Sequence, residues 1–158
     1  MRAYKTAEAI NRYNGCKIIV DDSFVENNLG ILDGRPVKEM TAEQTYLWNN
    51  EPHNFKIEGG ESMAEVSERV WKGLKEVVRD NPNSTIAIAS HGCAVRALVR
   101  QLKGLPEAEV INVEWCDNTG VNKVIFYDDG SYELAIENDS SHLSEEAKAE
   151  PIANWTEE

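Results

Sequence analysis

No stretch of this 158-residue chain is apolar for long enough to cross a bilayer, and no basic-then-apolar leader stands at its amino end. Cysteine is scarce. Cys16, Cys93 and Cys116 are odd in number and show neither CxxC nor metal-like spacing, so they read as free thiols of a reducing cytosol, with no metal site expected. Positive charge is also in short supply, with 16 Lys and Arg against 28 Asp and Glu and a net charge of −12. Such a surface repels nucleic acid and anionic membranes, and neither is expected as a partner. A small anionic substrate stays open, because a few arginines lining a cleft reverse the potential locally. Internal repeats and low-complexity segments are missing, and the length fits one domain with a sizeable core.

What is present is an alternation of helical and strand-like patterns. Ala3, Ala7, Ile10 and Tyr13 share one face of a predicted helix over Arg2–Tyr13, which Asn14-Gly15 stops. Lys17–Val20 reads as a short strand, and the Asp-, Asn- and Gly-rich stretch 21–35 as an irregular loop of the kind that carries function. Thr41 with Gln44 forms a capping-box pattern before a short helix. A strong amphipathic helix is predicted over Ser62–Arg79, with Met63, Val66, Val70, Leu74, Val77 and Val78 on one stripe. Thr85–Ala89 is short and uncharged, which suits a strand buried on both faces of a parallel sheet. Cys93–Leu102 is a helix pattern, Gly104-Leu105-Pro106 breaks the chain, and Asp128-Asp129-Gly130 joins the arms of a predicted hairpin. The order argues for a three-layer α/β domain over 1–138, followed by an acidic, solvated tail over 139–158.

Ser90-His91-Gly92 therefore stands at the carboxyl end of a predicted strand and the amino end of a predicted helix. Open α/β sheets bind ligands at that place, and free N–H groups at a helix start favour an anion. A histidine there is a candidate for handling phosphate, although alone it reads equally well as a polar residue closing a turn.

Four separated segments bear on that choice. Arg2-Ala3 with Thr6-Ala7, the loop from Phe24 through Glu26 and Gly30 to Gly34, Gly60-Glu61-Ser62 followed by Arg69, and Ser90-His91-Gly92 with Arg96-Ala97-Leu98 occur in that order. Together they resemble the motifs of the histidine phosphatase superfamily, which includes the phosphoglycerate mutases. The ending Asn138-Asp139-Ser140-Ser141-His142-Leu143 is similar to that of its broad-specificity phosphatase branch.

The resemblance implies a three-layer α/β/α phosphoglycerate mutase-like domain and metal-free, cofactor-free phosphomonoester hydrolysis through a phosphohistidine. It implies that His91 binds the phosphoryl oxygens, with Gly92 and Cys93 beside it, and that Arg2 does so with its planar fork. Glu26 would protonate the leaving oxygen and then take a proton from water. The implied partner is a phosphorylated small molecule and the implied location cytoplasmic. Set singly, Arg2 and Glu26 read as surface charge, Glu61 and Ser62 as helix-start residues, and His53 and His142 as structural. Trp48, Trp71 and Trp115 read as packing, and Lys5, Lys72 and Lys75 as solvated helix faces.

The pattern is incomplete in one respect. The family's nucleophilic histidine lies in an Arg-His-Gly motif after its first strand, and no such motif precedes Arg2. Two explanations stand side by side. Either Met1 is an internal methionine of a longer, active protein, or this is a truncated chain, inactive alone, that binds a phosphate ester or a protein partner. The missing first central strand would leave about four or five backbone groups unpaired, at roughly 1–3 kcal/mol each if buried. That sum is comparable to the ~5–15 kcal/mol stability of a whole domain. A homodimer or the missing segment is therefore expected to complete the sheet.

Overall fold

The structure is a computed structural model that describes residues 1–144; most of the predicted acidic tail lies outside the described residues. The first helix, α1 (Arg2–Asn11), ends at Asn11 rather than at Tyr13, and Gly15 beyond it takes a left-handed φ of 63°. Its apolar face buries no residue: Ile10 and Tyr13, which share the predicted face, are both exposed.

Two reciprocal caps start the next helices where the sequence places them. The Gln44 amide donates to Thr41 Oγ1 (3.2 Å) and the Thr41 amide donates to Gln44 Oε1 (2.9 Å), opening α2 (Ala42–Asn50). Ser62 and Glu65 do the same for α3 (Met63–Asp80). The α3 stripe of Met63, Val66, Val70 and Leu74 packs with Ala94 and Ala97 of α4 (Gly92–Leu102). Phe24 and Val110 complete this core from 3-10 turns at Asp22–Phe24 and Glu107–Asn112. Gly73 is required by close approach, since a Cβ there would stand 2.3 Å from Ser23 Cβ. Glycine inside a helix costs about 1 kcal/mol relative to alanine. Here it lets α3 touch the turn that carries Phe24.

The predicted hairpin forms as β1 (Val121–Phe126) and β2 (Tyr132–Asp139), paired antiparallel from Val121 opposite Asp139 to Phe126 opposite Tyr132. Gly130, with φ of 83°, sits in its turn. The hairpin meets the helices where Phe126 packs against their core, the Trp71 ring meets Tyr132 edge-on at 5.4 Å, and Lys103 pairs with Glu137 at 2.6 Å.

The α/β class read from the sequence holds, and its central layer is incomplete. Among the described residues the sheet has two strands, β1 and β2. The predicted strands Lys17–Val20 and Thr85–Ala89 join no ladder, although Asp21 and His91 at their ends are extended. Pairing is non-local, and among the described residues neither segment bonds a neighbouring strand. The expected penalty also takes a different form. Ile19 and Val20 are each 73% exposed and Ile86 and Ile88 are 42% and 39% exposed, so the unpaired backbone is wetted rather than buried. The cost moves to apolar side chains held in water.

Candidate functional site

The loop carrying Glu26 is built from its amino end. Asp21 accepts from the Ser23 amide at 2.8 Å and starts the turn Asp22–Phe24, whose Phe24 ring is anchored in the core. Ser90 Oγ donates to the Phe24 carbonyl at 2.7 Å, which ties the start of this loop to the residue before His91. Glu26 then follows one residue after Val25 and reaches α4. Its Oε1 accepts from the Cys93 amide (3.1 Å) and from the Asn27 amide (2.9 Å). A carboxylate is thus seated on the first turn of α4, where orphan N–H groups and the helix dipole favour negative charge.

His91 is the residue that precedes α4, with φ −134° and ψ 165°, and its carbonyl accepts from the Val95 amide at 2.9 Å. Its imidazole makes no capping hydrogen bond. The ring is half-buried. Cys93 contributes its main-chain N–H, while burial first, and then the negative charge of Glu26, push its thiol well above the usual range. That thiol is not a nucleophile at neutral pH.

Arg69 holds the Glu26 loop to α3. Its Nε and Nη2 each donate to Glu61 at 2.8 Å in a two-pronged pair, and its Nη1 donates to the carbonyls of Ser23 (2.9 Å) and Val25 (3.2 Å). Glu61 also accepts from the Asn28 amide at 3.1 Å, so this pair grips the loop on both sides of Glu26. Glu61 was expected as an ordinary helix-start residue. The structure gives that capping role to Ser62 and Glu65 and makes Glu61 the partner of Arg69.

These carboxylates set an acid limb. The Arg69 side-chain hydrogen bonds lower Glu61 from the usual 4.5, and the Lys56 hydrogen bonds lower Glu65 to about 2. Both folded values lie below the unfolded one. Their stabilisation is therefore complete above pH 4.5 and is lost as pH falls through the folded values, toward about 2 for Glu65. The melting temperature is expected to fall across that window, and Glu61→Gln to flatten part of the fall. An identical slope in the variant would contradict the assignment.

Of the residues singled out in the sequence, the structure brings together Glu26, Cys93 and the His91–Gly92 turn. It does not join Arg2 to them: Arg2 is exposed at the start of α1. His142, read as structural, bonds Thr119 at 3.1 Å beside the hairpin. The Arg69 clamp was visible only as a motif position, because its carbonyl partners lie 43 to 47 residues away in the chain. Among the described residues there is no cluster of His, Cys, Asp and Glu that could hold a metal, and no helix long and apolar enough to cross a membrane.

Comparison with known proteins identifies the family and the fold. The family model of the histidine phosphatase superfamily (branch 1) matches residues 1–139. A probable phosphoglycerate mutase GpmB from Escherichia coli is 39% identical over 110 residues, covering 66% of this chain and 50% of that protein. The chain thus spans about half the length of the curated relatives it matches. Among solved structures, Bacillus stearothermophilus YhfR superposes with a TM-score of 0.84 at 24% identity, over 89% of this chain and 71% of that one. A mycobacterial glucosyl-3-phosphoglycerate phosphatase bound to inorganic phosphate gives 0.77 at 24% identity, over 90% and 75%. The alpha-ribazole phosphatase of Shigella flexneri gives 0.73 at 19% identity, over 87% and 69%. At these identities the structural likeness establishes the fold.

Proposed function

Given that this chain belongs to the histidine phosphatase superfamily, we propose that its Glu26–His91 site binds a phosphomonoester for metal-free hydrolysis. The observation that carries the reading is the Glu26 carboxylate on the Cys93 amide, at the first turn of the helix that His91 opens. A phosphoryl group at this turn takes hydrogen bonds from the His91 imidazole and from main-chain N–H groups. Glu26, at the same turn, gives a proton to the departing ester oxygen as the phosphoryl group passes to a nucleophile, and later takes a proton from the water that releases phosphate. Arg2, by its match to the family motif, adds a fork of donors once α1 is seated. Hydrolysis is preferred over a mutase reaction because Asn138 to Leu143 resemble the phosphatase branch.

The covalent step needs a nucleophile. Ser90 Oγ donates its hydrogen to the Phe24 carbonyl, and the Cys93 thiol is buried with its pKa raised, so neither fits. The exposed segments Lys17–Val20 and Thr85–Ala89 suit pairing with a further strand, from a second copy or a longer form of the protein. The same observation favours a second reading, in which the chain by itself binds a phosphate ester without turnover, or docks a protein partner. Hydrolysis of p-nitrophenyl phosphate, lost in His91→Ala, is the result expected of the first reading. No turnover, with phosphate raising the melting temperature of the native chain and not of His91→Ala, selects the second. Neither turnover nor a shift would overturn the phosphate site in both readings.

A further inference from the structure

Beside the first turn of α4 stands an aromatic pair that the sequence leaves as packing. The six-membered edge of Trp115 lies 3.4–3.5 Å from where a Cβ on Gly92 would sit, so it borders the His91–Gly92–Cys93 turn directly. Trp48 stacks on Trp115, with ring centroids 6.3 Å apart and planes inclined by 26°. Buried Phe55 braces Trp48 edge-on at 5.0 Å. Arg96 lies over the Trp115 ring at 4.4 Å. Both indoles are half-buried, and so retain surface for a ligand while their positions are held by their neighbours.

The charges around this wall decide what it suits. Arg96 is 6% exposed, and its Nε and Nη2 donate to the carbonyls of Val113 (2.7 Å) and Ile111 (2.9 Å), so little of its guanidinium is offered to an acid. Glu26 at the adjoining turn repels a second carboxylate. An apolar or aromatic group gains area and ring contact at the same wall. We infer that the Trp48–Trp115 wall selects the organic part of the substrate, favouring aryl or apolar phosphomonoesters over carboxylate-bearing ones such as phosphoglycerates. This rests on the phosphate-site reading above and adds to it a discriminating surface.

The test compares the affinities of methylphosphonate, phenylphosphonate and 3-phosphonopropionate for the native chain by calorimetry. Phenylphosphonate is expected to bind about tenfold more tightly than methylphosphonate, equivalent to about 1.4 kcal/mol. 3-Phosphonopropionate is expected to bind no more tightly than methylphosphonate. Trp48→Leu should cut the phenyl-to-methyl ratio to about twofold, and Trp48→Phe should keep most of it. Each ratio is taken on one protein, so a general loss of affinity cancels. In the native chain, nuclear Overhauser contacts from the phenyl protons to Trp48 or Trp115 indole protons provide a readout independent of any variant. Equal binding of the phenyl and methyl compounds, a preference for the carboxylate, or a ratio unchanged in Trp48→Leu would overturn the inference alone. Failure of all three phosphonates to bind overturns the phosphate site with it.

Discussion

Arg69→Ala is expected to destabilise the chain by about 2–3 kcal/mol, read as a lower urea midpoint. The Arg69 and Glu61 side chains are each 23% exposed, so their pair is shielded, though less than a fully buried one. Removing the guanidinium leaves Glu61 without its two-pronged partner and frees the Ser23 and Val25 carbonyls. Against a total stability of about 5–15 kcal/mol for a domain, that loss is large. Its functional consequence is local. The loop released is the one that brings Glu26 to the Cys93 amide, and Glu26 loses its fixed approach to α4. A lysine at position 69 should recover little, because an ammonium cannot serve Glu61 and two carbonyls in one plane. A variant as stable as the native chain would show that the clamp contributes nothing.

Arg96→Ala is expected to cost about 3 kcal/mol, measured in the same way, from two carbonyls losing their donor at roughly 1–3 kcal/mol each plus lost packing on Trp115. Arg96 is buried, and burial lowers its pKa below the usual arginine value; its donors nonetheless join α4 to the Ile111 and Val113 carbonyls. Because its guanidinium also lies over Trp115, the same change should loosen the aromatic wall beside Gly92. Arg96→Lys is expected to behave almost as badly, since one ammonium cannot reproduce the fork. Stability within about 0.5 kcal/mol of native, the range of ordinary surface changes, would refute this role.

Local chemistry was legible in the sequence. Thr41 with Gln44 caps the helix it was expected to cap, Ser62 starts the next one as expected, and the α3 stripe is the core. Asp128-Asp129-Gly130 turns the hairpin. Such signals act within a few residues, so one chain displays them whole. Pairing was not legible: Lys17–Val20 and Thr85–Ala89 have strand composition, and strand formation requires a neighbour that composition does not supply. The same holds for the exposed apolar face of α1. At the site, motif order brought Glu26 and His91 into one hypothesis, and the bond from the Cys93 amide to Glu26 joins their segments. The Arg69 clamp and the Trp48–Trp115 stack escaped because their partners are distant in sequence and their residue types are common in ordinary surfaces and cores.

Phosphomonoester binding here depends on the His91 turn being an anion site, and an amide-resolved titration of the chain with inorganic phosphate tests that most directly. Saturable shifts of the Gly92, Cys93 and Ala94 amides are predicted in the native chain. They should weaken at least about tenfold in His91→Ala, the loss of one strong charge-assisted contact. Glu26→Gln should instead strengthen binding, by removing the carboxylate that holds the Cys93 amide. Amides that do not move, or that move identically with and without His91, would contradict the account.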